Sequence, residues 1–226
     1  MSNSVGRVIH ILAALGIIVT QSLGNNSSSE PSSHQTAPSK KIFVMPENYK
    51  KYTVSFGDPN APIKIHKFFS FSCASCLMFH KTHFPVILDQ FIKSGKVYWT
   101  LVPYVMDVDT LYVMATVSAC PNDVKLHAYE TIMDSALNWT EDDNKETIIP
   151  ALKACGISDD VILTTLSGVN YEAVLRDSFD FQDYIQVDGT PTLFINGEEI
   201  PGIPGSKKLT HIITDMLNNN DQGGAE

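Results

Sequence analysis

A chain of 226 residues, 43% of them apolar, has enough material for one substantial hydrophobic core. Its formal net charge of −9 leaves no basic stripe to displace counterions from a phosphate backbone, so nucleic-acid binding is not expected. The four cysteines form an even set, and their compartment decides how they should be read.

Arg7 precedes an apolar run, 8–19, broken only by His10, and Ser22-Leu23-Gly24 then offers a small-x-small cleavage site. Charge, apolar core and small residues in that order predict a signal peptide over 1–24. If it is not cleaved, 8–24 would act as an N-terminal anchor, although the run is short beside the roughly 20 apolar residues a spanning helix needs. In an exported chain the cysteines are expected to engage in disulfide chemistry. Residues 25–42 are rich in Ser, Asn and Pro and bury too little to offset ordering entropy, which predicts a flexible linker.

Structure is expected to begin near Phe43. Gly57-Asp58-Pro59-Asn60 signals a turn, and 63–69 reads as a strand, with Ile63, Ile65, Phe68 and Phe69 set among Lys64, His66 and Lys67. A helical pattern follows Cys73, and Pro85 within it is expected to kink the helix. A second strand covers 97–102. Helices are predicted over 110–120, 122–137, 144–155, 159–166 and 171–185, separated by Pro, Asn, Asp and Gly signals. Strand character returns over 192–196, Asn196-Gly197 signals a tight hairpin, 198–200 returns, and a last helix covers 206–218. This order resembles an α/β thioredoxin-like fold with an inserted all-helical domain. Its first part would be 43–106, the insertion 107–183, the second part 184–219 and a polar tail 220–226.

Cys73 and Cys76 are three residues apart where the strand gives way to the helix. A sulfur at a helix N-terminus faces unpaired N–H groups and the positive end of the helix dipole, and both favour thiolate. A second sulfur one turn further in can resolve a mixed disulfide while staying shielded from partners. A zinc site would need a second pair of ligands at finger spacing, which neither Cys120 nor Cys155 supplies. A purely structural ring would be strained and reducible. Downstream, Gly189-Thr190-Pro191-Thr192 places a proline at the start of a strand, where it fits only as a strand-opening residue or in a special turn.

Phe68-Phe69-Ser70-Phe71-Ser72-Cys73-Ala74-Ser75-Cys76, preceded by Gly57-Asp58-Pro59-Asn60-Ala61-Pro62 and followed by Val187-Asp188-Gly189-Thr190-Pro191-Thr192, resembles the DsbA family of periplasmic thiol–disulfide oxidoreductases. The resemblance runs from about Tyr52 to Asp215. It implies that Cys73 attacks and leaves, that Cys76 resolves, and that Thr190 and Pro191 offer backbone groups to an extended substrate segment. It also implies periplasmic localisation, unfolded or newly exported cysteine-containing clients, and a membrane-bound, DsbB-like partner that reoxidises the pair. No cofactor or metal is implied, and a monomer is expected. Disulfide introduction is the expected activity. Isomerase or reductase action on the same fold, or a non-catalytic peptide-binding or chaperone module, are the alternatives.

Two departures concern tuning of the pair. Strongly oxidising members of that family carry Pro-His between the cysteines, whereas Ala74-Ser75 stands here. Lys67, six residues before Cys73, occupies the place where thioredoxin-like proteins bury an acid. A buried lysine would favour a Cys76 thiolate or act as a base, whereas a snorkelling one would do neither. Cys120 and Cys155 flank the ends of two predicted helices and are expected to form a structural disulfide, worth about 3–4 kcal/mol on the chain-entropy model; some alpha-proteobacterial relatives resemble this arrangement. His66, His80, His83 and His127 receive no role, and Met78, Met106, Met114 and Met133 could serve either core or peptide surface.

Overall fold

The central strand explains most of the architecture. In the structure, a computed structural model describing residues 42–104, 106–118, 120–136, 144–168 and 171–223, β2 (Ile63–Phe69) lies in the middle of a five-stranded sheet. Residues 1–41, which carry the leader and nearly all of the expected linker, lie outside the described residues. β2 runs parallel to β3 (Val97–Pro103) and antiparallel to β4 (Thr192–Ile195). β1 (Val54–Phe56) and β5 (Glu198–Ile200) complete the order β1-β3-β2-β4-β5. Ile42, the last residue of the expected linker, already bridges Glu198 beside β5.

Alternation along β2 sends Ile63, Ile65, Lys67 and Phe69 to one face and Phe68 to the other, so a core forms on each side. The sheet therefore needs two covers. On the first face lie α1 (Ala74–Thr82), α2 (Phe84–Ile87) and α8 (Ser206–Gly223). On the second, Phe68 stacks on Phe181 of α7 (Tyr171–Ile185) with centroids 5.8 Å apart, and Tyr49 of a 3-10 turn stacks on the same ring at 3.9 Å. Full burial of such an aromatic ring stabilises by roughly 1.5–3 kcal/mol.

Pro85 does more than kink its helix. α1 stops at Thr82, and α2 restarts with Pro85 in its first turn, where a missing N–H breaks no hydrogen bond. The helix then widens into a π turn over Leu88–Ile92. Gly57 closes β1 with φ +93°, and a Cβ there would lie 2.5 Å from the Val97 carbonyl, so only glycine fits. Asn196-Gly197 makes the expected hairpin, with Asn196 accepting from the Lys64 backbone through its side chain at 2.8 Å.

Between β3 and β4 run α3 (Val108–Ser118), α4 (Asn122–Ala136), α5 (Asn144–Ala154), α6 (Asp159–Gly168) and α7. This helical block shares its core with the sheet. Tyr129, Ile132 and Met133 of α4 and Leu152 of α5 belong to the same buried cluster as Phe69, Phe84 and Trp99. Among the described residues, no helix is long and apolar enough to cross a membrane.

Candidate active site

β2 ends at Phe69, the chain turns through Ser70-Phe71-Ser72, and Cys73 becomes the N-cap of α1 with φ −86° and ψ 106°. The turn is tied down from the helical block. Asp107, just before α3, accepts from Ser70 Oγ at 2.9 Å, from Ser72 Oγ at 2.7 Å and from its own helix at Thr110 N at 2.7 Å. Thr110 Oγ1 in turn accepts from the Phe71 backbone N–H at 3.2 Å. Asp107 was absent from the residues singled out by sequence. The available signal was Asp-x-x-Thr at a helix start, which marks a cap but not what else the carboxylate holds.

Cys73 Sγ accepts from the backbone N–H of Cys76 at 3.3 Å and lies 3.2 Å from the Thr190 carbonyl, to which the thiol donates. Its pKa falls to about 5. A hydrogen bond from the Cys76 thiol is the main cause, the Thr190 side chain and the N–H groups of Cys76 and Ser75 add to it, and burial opposes them. Cys76 differs in every respect. It is fully buried, and burial together with its hydrogen bond to Cys73 pushes its thiol far above the ordinary range. Ala74 and Ser75 are exposed and place no titratable group beside either sulfur. The low pKa of Cys73 is thus achieved without a ring between the cysteines.

Thr190 and Pro191 stand opposite the sulfur pair, joined by a cis peptide bond. Thr190 Oγ1 also lies 3.5 Å from Met106 Sδ, and Met106 is exposed. Behind the pair, Lys67 is 0% exposed, so it does not snorkel. Its Nζ lies 3.5 Å from Tyr129 Oη and sits over the Phe79 ring at 4.8 Å. Burial lowers its pKa to about 8, with Cys76 and then Cys73 acting in the opposite direction. Tyr129 lies 62 positions along the chain and carries no sequence signal of this contact.

The expected Cys120–Cys155 disulfide is not present. All four cysteines are free in this structure. Each of the two sulfurs finds a carbonyl one helical turn back: Thr116 O at 3.4 Å for Cys120 and Ala151 O at 3.1 Å for Cys155. Both thiols are thereby satisfied without a cross-link, and burial raises both pKa values. Of the histidines, His80 is buried with its pKa lowered to about 4 by burial first and Lys67 second, and His83 Nδ1 accepts from the Ser206 backbone at 3.2 Å. No cluster of metal-ligating side chains occurs among the described residues. A cavity of about 630 Å³ beside Phe56, Gly57 and Tyr98 includes none of the site residues.

The Thioredoxin family profile matches residues 49–215. A Rickettsia prowazekii protein provisionally named a protein-disulfide oxidoreductase is 20% identical over 188 residues, covering 76% of this chain, which spans only 63% of that relative's length. Two solved structures share the fold. Wolbachia pipientis alpha-DsbA1 matches with TM-score 0.65 and 19% identity, over 74% of this chain and 92% of that one. The protein-disulfide isomerase of Novosphingobium aromaticivorans matches with TM-score 0.60 and 18% identity, over 74% and 97%. With its sheet, its capped cysteine and a profile match over most of its length, the chain belongs to the thioredoxin family, and its fold, with helices between the third and fourth strands, is similar to that of Wolbachia pipientis alpha-DsbA1.

Proposed function

We propose that the chain is a thiol–disulfide oxidoreductase that introduces disulfides into exported proteins. The observation that carries this reading is the Cys73 sulfur, held by the first free N–H groups of α1 with its pKa lowered to about 5 while Cys76 behind it is sealed. In the oxidised form a substrate thiolate attacks Cys73. The Cys73–Cys76 bond breaks, and Cys76 leaves with the electron pair. A second substrate thiolate then attacks the substrate sulfur of the mixed disulfide and expels Cys73 as thiolate. A low pKa makes Cys73 the better leaving group of the two, so the final displacement releases an oxidised substrate and a reduced enzyme.

Thr190 and Pro191 hold the substrate segment beside Cys73, and Lys67 tunes the buried sulfur. Ala74-Ser75 gives an oxidant weaker than family members with a histidine between the cysteines. The clients are unfolded, cysteine-containing proteins in the periplasm, and a membrane-bound oxidase restores the disulfide. Cys120 and Cys155 close a structural staple when the chain is oxidised, and mapping of unreduced peptides tests that pairing.

Oxidation of a dithiol peptide by the preoxidised protein tests the main reading. Turnover is expected from the parent and none from Cys73→Ala, and a parent that binds the peptide without oxidising it would overturn the assignment. The equilibrium constant against glutathione fixes direction, since a strongly reducing value would make the chain a reductase instead.

A further inference from the structure

Lys67 is an ammonium group in a place where a permanent charge has no support. It is 0% exposed, in the centre of the sheet, between Leu101 of β3 and Leu193 of β4, both fully buried. From α1 it meets the Phe79 ring, Cys76 and the electrostatic reach of His80, which is neutral at pH 7 because its pKa is lowered to about 4. From α4 it meets Tyr129, whose burial raises its pKa and keeps it a neutral phenol. α8 lies against β2 with Leu209 and Ile213 buried, while its charged groups Lys207, Lys208, His211 and Asp215 are exposed. Among the described residues no carboxylate pairs with Lys67, and Asp134 beyond His80 is 74% exposed. The negative charge within reach of this lysine is therefore on sulfur.

That charge depends on redox state. In the reduced chain Cys73 is a thiolate at neutral pH. In the disulfide neither sulfur carries charge, and the Cys73 thiolate that favours the lysine's proton against burial is gone. Burial then acts alone, and fully buried lysines without an anion reach pKa values of about 5–6.

We propose that Lys67 carries a proton in step with the redox state of the pair: ammonium while Cys73 is a thiolate, neutral amine while Cys73 and Cys76 are joined. This deepens the oxidoreductase reading and rests on it. The balance is closed. A substrate dithiol delivers two electrons and two protons. The electrons break the Cys73–Cys76 bond, one proton goes to Cys76, the other goes to the Lys67 amine, and Cys73 remains a thiolate. No proton enters or leaves the solvent. Without the lysine, one proton would be released at each turnover.

The test counts protons. Reduced protein is oxidised at pH 7 in weak buffer with diamide, a diazene that takes up two electrons and two protons. In the parent both protons come from the protein, from Cys76 and Lys67, and the expected net uptake from solution is zero. In Lys67→Met only Cys76 supplies one, and uptake of about one proton per protein is expected. Any oxidation of Cys120 and Cys155, both neutral thiols, adds nothing. Equal proton counts in the two proteins would overturn the proposal. If instead Cys73 were an ordinary thiol, Lys67 would face no anion in either state and both proteins would show no net uptake, so a count of zero in Lys67→Met marks failure of the site reading, whereas equal counts of one mark failure of the proposal. The ultraviolet absorbance of the reduced parent reports the Cys73 thiolate independently. Should Lys67→Met not fold, the parent alone decides: with the thiolate present, uptake of one proton overturns the proposal and uptake of none supports it.

Discussion

Cys73 and the distal cysteines Cys120 and Cys155 stand at opposite ends of their helices, and their sulfurs meet different partners there. Cys73 stands at the start of α1, where free N–H groups point at its sulfur. Cys120 and Cys155 stand just past the ends of α3 and α5, where C=O groups one turn back accept from theirs. An N–H donor favours thiolate, whereas a carbonyl acceptor favours thiol. The pKa of Cys73 accordingly falls to about 5, while those of Cys120 and Cys155 rise, burial being the main cause. Similar burial of the side chain does not prevent this divergence: all three residues are 7–8% exposed. Residue exposure alone therefore does not rank these sulfurs: at Cys73 the hydrogen bonds it accepts, first from the Cys76 thiol, outweigh burial.

Alkylation of the reduced chain at pH 7 puts the largest stress on this contrast. A thiol of pKa about 5 is almost fully thiolate there, against roughly 1% for one at 9, so Cys73 should hold about a hundredfold more reactive form than either distal cysteine. Mass mapping of partly alkylated protein would read this, and equal labelling of the three would break the comparison. A second test varies pH. Because the folded pKa of Cys73 lies below its ordinary value of 9.0, its stabilising effect on the reduced fold is complete above about 9 and is lost as pH falls through about 5. The stability gap between reduced parent and Cys73→Ser, measured by denaturant unfolding, should therefore widen from pH 5 to pH 9.

Asp107→Ala is a smaller perturbation. It removes a helix cap and releases Ser70 and Ser72, at a cost of about 1–2 kcal/mol. The freed turn should also raise the Cys73 pKa, visible as slower alkylation at pH 6, and an unchanged rate would limit Asp107 to capping. The smallest effect is expected from Cys155→Ala in the reduced chain. Loss of one buried sulfur should cost about 1 kcal/mol and leave Cys73 alkylation kinetics as they were. A change in those kinetics would mean that the distal pair speaks to the active one.

Local patterns were legible where they were strong. Alternation along 63–69 gave the bounds of β2, Asn196-Gly197 gave the hairpin, and the strand-to-helix junction at Cys73 gave the helix start that this cysteine caps. Pro85 was read correctly as a disturbance but not in its form, because a break or a kink depends on what the next turn packs against. Asp107 was illegible as part of the site, since its partners lie 35 and 37 residues away.

The sequence by itself determined which sulfur would cap a helix, because a helix start is a local event written within a few residues. Only the tertiary structure decided the fate of Lys67. Whether a lysine on a strand reaches solvent depends on which helices cover that face, and here α1 and α4 close over it with Phe79 and Tyr129. Short-range hydrogen bonding is encoded in order along the chain. Desolvation is a property of everything that folds around a group, and no stretch of sequence near position 67 carries it.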